Sequence, residues 1–573
     1  MTRARLGALA AGVLLALVLA TFGCGPVLAQ AEDDRSALVI LVPGASFEDL
    51  MAIPDVASLA RAGGAGLLVN PEEVVEFGDS FLRGETRAVL RSEDPGSLAS
   101  LVQRYRPAGF EDSELLLIVI GADAAHASAP IEIGDIVLGL DVGGIVVAKG
   151  VPEELFPADG EQGSLTSDST QRAGVVAGGD VGATLNDYLG SAPLVTAPVA
   201  AGAPIEIIEG PPPFELHERY LAQRRMYVPI GTAAGIYLAI AGLGAIAILA
   251  LGSRIPQGVR RVFGWGCLSV AALATALLAA GHLPQLTYAT VVPFVALVTV
   301  FGTLAFAPLE RRDVLLVPPG IGIAVLAYFA LEAILEWTAA LTPFVGGSEL
   351  DGGRFYGLPN VFIGLLVGSC LWVAHRLRTG AGVALLVAVG LFAGLPYVGA
   401  NLGGGVSLFA AAGLWLAVRE RERLGVWKGL GVFVGVTLVG AALILFAHAI
   451  SPFETHVTRF EEEVSGITGV FEKFGDRLQV GFDLIARNPF ALIPVTGLPV
   501  AIAAVLRPPA ALRPSLQRSP AWRDAVLVTL LAGVVAYIVN DSGPAAAGLA
   551  FGLGLGGLLG VSLLSEAGKM GEP

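Results

Sequence analysis

The sequence predicts a two-part protein: an α/β sandwich with a mainly parallel sheet, followed by an all-α polytopic transmembrane bundle of about 11 helices. Three observations predict it. The 573 residues are 54% hydrophobic and 15% charged, with a mean hydropathy of +0.71, whereas soluble domains carry about a quarter charged residues. Between residues 36 and 190, β-type apolar runs alternate with helical stretches, the order of an α/β fold. From Val228 onward, apolar runs recur that are long enough to cross a hydrocarbon core of about 30 Å.

Charge separates the two parts. Glu32 to Arg225 holds 31 acidic and 12 basic residues, a balance of −19 against −15 for the whole chain. So acidic a domain excludes nucleic acid as a partner, because such binding needs Lys and Arg to neutralise phosphates. Of the three cysteines, Cys24 lies in the leader and Cys267 and Cys370 in apolar runs, so no disulfide supports the soluble part.

Residues 1–31 carry a basic start, an apolar run and Ala29-Gln30-Ala31, the pattern of a signal peptide cleaved near Ala31. An uncleaved anchor, or lipidation at Cys24, is the alternative. Each exports the domain at 32–190. In that domain Ser36–Val42 (SALVILV) is a continuous apolar run, the mark of a buried parallel strand. Pro43-Gly44-Ala45 breaks it, and FEDLMAIPDVASLARAG reads as helical segments ending at Gly63. Leu115–Gly121 (LLLIVIG) is a second strand, and DIVLGL or GGIVVAK a third. Ligands of such sheets sit beyond the carboxyl ends of strands, here near Pro43–Ser46 and Ala122–His126.

These segments resemble the alkaline phosphatase superfamily. LVILVPG…DLMAIPDVASLARAGGAG resembles its opening strand and helix, LLLIVIGADAAHA its strand before a metal-binding Asp-His pair, and GSLTSDSTQRAGVVAGGDVGATLNDYLG (Gly163–Gly190) its closing element. The resemblance covers most of 36–190 and rests on the order of the motifs. It implies a two-metal phosphatase site, and the departures from it imply that the site is lost. Pro43 stands where an Asp ligand is expected, and Asp123 and His126, the weak metal candidates, are separated by two alanines. The soluble segment has only two histidines, His126 and His217, whereas a two-zinc site needs several His and Asp ligands. Ser46, Thr166, Ser167, Ser169 and Thr170 read as turn formers rather than nucleophiles. The expectation is a non-catalytic domain without cofactor. A divalent metal belongs only to the alternative, an active phosphohydrolase or phosphotransferase.

Residues 191–227 read as a linker, Pro- and Ala-rich and then helical. Eleven spans follow, at about 228–251, 262–281, 287–307, 314–335, 359–375, 380–397, 402–418, 427–448, 489–506, 524–540 and 543–563. Spans 1–8 occupy 228–448, an extracytoplasmic amphipathic segment 449–488, and spans 9–11 with a cytoplasmic tail 489–573. Arginines cluster after the first, third, fifth, seventh and ninth spans, from Arg254 to Arg523, and short basic loops stay cytoplasmic. The expectation is a bacterial plasma-membrane protein with its N-terminal domain outside and its C-terminus inside.

Polar groups at the outer margin of a bundle mark function, because burying them unpaired is costly. Glu332 and Glu336 stand four apart at the outer end of the fourth span. The next loop, GGSELDGGRFYGLPN, holds Asp351, Arg354, Tyr356 and Asn360; later come His448, His456, Asn540 and Asp541. Arg354, Asp351, Tyr356, Asn360, His456, Asn540 and Asp541 are the substrate-binding candidates, with Arg354 foremost because guanidinium pairs with phosphate oxygens. GGRFYGLPN and NDSG resemble segments of actinobacterial membrane proteins that join a phosphatase-like ectodomain to a polytopic bundle. The layout is also similar to glycolipid phosphoethanolamine transferases. The expected partners are membrane lipids and a lipid-linked envelope precursor, and a transporter with an accessory ectodomain is the other alternative.

Overall fold

The computed structural model describes residues 36–43, 47–69, 89–91, 115–122, 143–150, 163–189, 202–210, 213–348, 350, 356–396, 398–451, 492–540 and 543–569. The N-terminal part holds strands β1 (Ser36–Pro43), β2 (Gly64–Val69), β3 (Val89–Arg91), β4 (Leu115–Ala122), β5 (Gly143–Gly150), β6 (Gly163–Ser167), β7 (Val175–Ala177) and β8 (Ile205–Ile208). Helices α1 (Phe47–Met51) and α2 (Pro54–Ala62) follow β1, and α3 (Gly178–Leu189) follows β7.

The sheet runs β3-β1-β4-β5-β2-β6-β8, with β7 beside β2. It has two parallel halves, β3/β1/β4 and β2/β6/β7. β5 joins them antiparallel to both neighbours, pairing Val119 with Val146 on one side and Gly66 with Ile145 on the other. The expected parallel direction therefore holds within each half and not at the seam. Unbroken apolar runs report burial on both faces, and β5 reads the same in either direction. The predicted linker supplies β8, antiparallel to β6.

Period-two alternation sorts this sheet's side chains onto two faces. Ala65, Leu67, Val146, Val175 and Ala177 meet Phe47, Leu50, Val56 and Leu59 of α1 and α2. Leu68, Ile145, Val147 and Val176 meet Val181, Leu185 and Tyr188 of α3. The first of these cores is closed by residues far along the chain, Tyr220 and Leu350.

Tyr220 belongs to α4 (Phe214–Leu251), a helix of 38 residues. Its first turns dock on α1: the rings of Phe47 and Phe214 lie 5.0 Å apart, and His217 Nδ1 is 2.8 Å from Glu48 Oε1. The same helix, beyond Pro229, becomes apolar.

The bundle continues with α5 (Gln257–Leu268), α6 (Val270–Ala279), α7 (Tyr288–Leu304), α8 (Val317–Ile334), α9 (Ile363–Ala374), α10 (Thr379–Gly394), α11 (Leu402–Arg419) and α12 (Arg421–Ala449). After these come α13 (Leu492–Leu506), α14 (Arg513–Arg518), α15 (Pro520–Val539) and α16 (Gly543–Lys569). Among the described residues seven helices are long and apolar enough to cross a membrane; α5 and α6, bent by 47°, add an eighth if counted as one span. The segments Asn360–Ala374, Thr379–Gly394 and Thr496–Leu506 are shorter apolar helices. Of these, α9 is buried on nearly every face among α8, α10, α11, α15 and α16, as befits a helix apolar all round. Peripheral helices turn apolar side chains outward instead: Leu243 is 68% and Phe301 66% exposed. With polar groups such as Glu332, Asn401 and Thr529 inside, the chain is an integral membrane protein.

The α4 dock makes a test. Tyr220 is 1% exposed, and deleting a buried aromatic ring costs about 3–5 kcal/mol. Tyr220→Ala in the full-length protein is expected to accelerate hydrogen exchange in α1 and α2 while leaving α9 protected. Unchanged exchange in α1 and α2 would show that the helix does not support the sheet.

Candidate functional site

Three carboxylates are buried among the described residues, Asp180, Glu332 and Asp524; the last is paired with two arginines, and the surroundings of the first two differ. Asp180, in the first turn of α3, is fully buried. It accepts from Ser167 Oγ at 2.6 Å, Ser169 Oγ, the Ala177 amide at 2.8 Å and the Ala203 amide at 3.0 Å. Thr170 Oγ1 donates to Val175 O at 2.8 Å, fixing the turn between β6 and β7. Gly202 approaches so closely that a Cβ there would lie 2.6 Å from Asp180 Oδ1. Both carboxylate oxygens are thus engaged by the protein. The closing element that resembled a phosphatase is held together by this carboxylate, and its hydroxyls serve as turn formers.

Glu332, near the end of α8, is also 0% exposed. Its Oε1 is shared: Tyr328 OH, one turn earlier, donates at 2.6 Å, and His282 Nε2 is in hydrogen-bond contact. Oε2 is buried with no hydrogen-bond partner among the described residues. His282 closes the 3₁₀ turn Ala280–His282 after α6 and is 31% exposed, so the pair reaches from the bundle's interior to its surface. That turn is clamped from α4 by Arg219, whose guanidinium donates to the carbonyls of Gly281, Leu283 (2.6 Å) and Pro284 (3.3 Å). Gln223 of the same helix donates to Pro343 O at 2.5 Å. The helix that docks on the sheet therefore also holds the turn that carries His282.

The backbone around Glu332 is constrained. α8 ends at Ile334, and Glu336 and Trp337 adopt φ of 53° and 58°, a region that non-glycine residues occupy at a cost of about 1–3 kcal/mol. Glu332 and Glu336, four apart in sequence, therefore part company: the first is buried and the second exposed. Trp337 is fixed by its Nε1 donating to Val398 O at 2.6 Å.

The sequence-predicted binding residues divide. Tyr356 packs beside Leu350 against the α1/α2 core. Asn360 Oδ1 accepts from Asn401 Nδ2 at 2.9 Å, while Asn401 caps α11 by accepting from the Gly404 amide at 2.7 Å. Asn540, 4% exposed, donates to Ser407 Oγ at 3.2 Å and Ala536 O at 2.8 Å. Asn360 and Asn540 are thus joined through the first turns of α11 and are structural ties there. His448 Nε2 lies 2.9 Å from Gly394 O. Asp351, Arg354, His456 and Asp541, with Asp123 and His126, lie outside the described residues. Among the described residues no group of three or more His, Cys, Asp or Glu is placed to hold a metal ion.

Sequence reasoning missed His282, Tyr328 and Arg219. Two signals were available: a histidine in the short break between two apolar runs, and a tyrosine four residues before a glutamate, hence on the same helical face.

The loops at the opposite end are tied by ion pairs. Arg260, 3% exposed, meets Glu566 at 2.6 Å; Arg419 and Arg421 meet Asp524 at 3.1 and 2.9 Å. Asp313 is held by Arg376 at 2.6 Å and Arg518 at 3.4 Å. Burial pushes the Asp313 carboxyl up, but the Leu315 amide and the two guanidinium groups outweigh it and hold it below the usual carboxylate range.

Comparison with protein-family models, curated proteins and solved structures finds no match to this chain.

Asp180→Ala would strand two buried amides whose partner cannot be replaced, at about 1–3 kcal/mol each. The expected result is a loss of about 2–6 kcal/mol from the sheet domain, read as exchange or proteolysis of β6–α3 in the full-length protein. Ser169→Ala should cost only about 1 kcal/mol. Equal stability of Asp180→Ala and the parent would remove Asp180 from its structural role.

Proposed function

We propose that this chain is a multi-pass protein of the bacterial plasma membrane that handles a lipid-linked, phosphate-bearing envelope substrate at its outer face. Its exported α/β domain is a non-catalytic relative of the alkaline phosphatases, seated on the bundle. The carrying observation is where that domain sits. Leu350 and Tyr356 both pack on the α1/α2 core, and they bracket the sequence that holds Asp351 and Arg354. The two described residues that flank this sequence thus pack at the junction of domain and bundle, the kind of place where ligand sites form. Guanidinium gives paired hydrogen bonds to phosphate oxygens, which an ammonium cannot reproduce.

The saturated carboxylate of Asp180 supports the non-catalytic reading: four protein donors already occupy it. A second reading, a transporter with an accessory domain, is favoured by Glu332. A fully buried carboxylate with one unpaired oxygen, paired to a partly exposed histidine, is the kind of intramembrane acid that relays protons or ions. The two readings share one substrate chemistry and differ in whether the substrate crosses the membrane.

Orientation is tested first. Gly347 and Gly258 are both exposed, at opposite ends of the bundle. A cysteine at Gly347 is expected to react in whole cells with an impermeant maleimide, and one at Gly258 only after lysis; the reverse would invert the topology. For the substrate, full-length protein in nanodiscs should bind a polyprenyl phosphate but not the uncharged polyprenol. Arg354→Ala should weaken that binding about 10- to 100-fold, the loss of a charge-assisted hydrogen bond, and Arg354→Lys should restore little. Equal binding by Arg354→Ala would end this reading. Stoichiometric zinc, with phosphatase turnover abolished in Asp123→Ala, would establish the active phosphohydrolase instead.

A further inference from the structure

We propose that Glu332 is a proton-binding site inside the bundle, loaded through His282 and steadied by Tyr328. The proposal rests on the reading above only for the work that the proton would drive.

The argument is one of placement. An ionised carboxylate without water needs its lone pairs met by donors. Among the described residues Glu332 has donors on Oε1 alone, and Oε2 is buried without one. An anion there is stabilised on one side only, so a proton is the cheapest partner the site can acquire. Among the described residues the nearby titratable and charged groups are few. Tyr328 comes from the same helix and His282 from the turn after α6, and both touch the carboxylate. Arg219, from α4, spends its guanidinium on the carbonyls of Gly281, Leu283 and Pro284. Glu336, beyond the helix end, is exposed.

Between the bundle's surface and Glu332 stands His282, 31% exposed against 0% for the glutamate. Histidine exchanges protons near neutral pH. The transfer is balanced: the imidazolium gives up the proton on Nε2, its N–H bond breaks, an O–H bond forms on Glu332, and both groups end neutral. Net charge on the pair is zero before and after, so the step carries no Born penalty for creating a buried charge. Loss of that proton leaves a buried anion beside neutral histidine, the costly state that a coupled movement of the bundle would have to relieve. Trp337, held at φ 58° one turn beyond Glu332 and bonded to the loop before α11, ties the same helix end to the neighbouring hairpin.

The test uses full-length protein in nanodiscs and pH-difference infrared spectroscopy. A protonated-carboxyl band that titrates is expected in the parent and in Glu336→Gln, and absent in Glu332→Gln. His282→Gln removes the group through which the site is loaded and should slow the band's response to a pH jump. Dicyclohexylcarbodiimide, an apolar reagent that adds protonated carboxyls, should tag the peptide containing Glu332 and do so less as pH rises. Persistence of the band in Glu332→Gln, its loss in Glu336→Gln, or no tag on Glu332 at any pH overturns the proposal. Where Glu332→Gln fails to fold, Glu332→Asp keeps a carboxyl and should shift the band; an unshifted band is equally fatal. Retained band with no polyprenyl phosphate binding removes only the substrate reading, and retained binding without the band removes only the proton site.

Discussion

A peptide group in hydrocarbon has to find its hydrogen bond within its own segment, and the helix that meets this demand at the start of the bundle also carries the sheet domain. α4 runs from Phe214 to Leu251. Phe214, His217 and Tyr220 lie against α1, Arg219 grips the turn at Gly281–Pro284, and Gln223 holds Pro343. Past Pro229 the helix offers lipid Ile240 and Leu243. Helical hydrogen bonding makes these contacts one body, so the sheet, the His282 turn and the first span cannot move independently without breaking it. Pro229, which lacks an amide proton, marks where the docked part gives way to the apolar part.

The rest of the bundle follows from an inversion of the usual polarity. Large apolar side chains face outward on α4, α7 and α12, while the interior combines buried rings such as Trp372, Trp415 and Phe329 with close-packed glycines and polar groups. Gly364 would place a Cβ 2.0 Å from Ala546 O, so α9 and α16 are in backbone contact that no other residue permits. Where lipid offers no hydrophobic gain between helices, such close approach supplies the packing. At the other end of the bundle, arginines fasten helices together through Asp313, Asp524 and Glu566.

Much of this was legible from residue order. The strands at Ser36 and Leu115, the helix ending at Gly63 and the longer apolar runs declare themselves by period and length, since burial on one face or all faces writes a pattern into the sequence; three of the eleven expected spans are shorter apolar helices. Three things did not. The direction of β5 is set by its partners and leaves no local mark. Residues 205–227 looked like a linker because Pro and Ala dilute the pattern, yet they supply a strand and the docking turns of α4. The partners of Glu332 come from two helical segments, and only Tyr328, on its own helix, stands at a spacing that sequence can show. Tyr356, Asn360 and Asn540 were picked for polarity at the right depth; the structure uses Asn360 and Asn540 as ties because a buried amide with both a donor and an acceptor is a good fastener between helices.

Polarity in the interior is therefore not enough to mark chemistry; the state of its satisfaction is. Asp180 and Glu332 are equally buried, and both sit at helix ends. Asp180 receives four donors from four places in the fold and is most stable as it stands; any proton or ligand would have to displace a bond already made. Glu332 receives its donors on one oxygen and leaves the other bare, beside a histidine that touches the surface. A folded chain tolerates such an incomplete carboxylate only against a standing cost, whereas an aliphatic side chain in α8 would pack without one. The cost is understandable if Glu332 spends part of its time with the partner it lacks, and that asymmetry is what distinguishes its surroundings from those of Asp180.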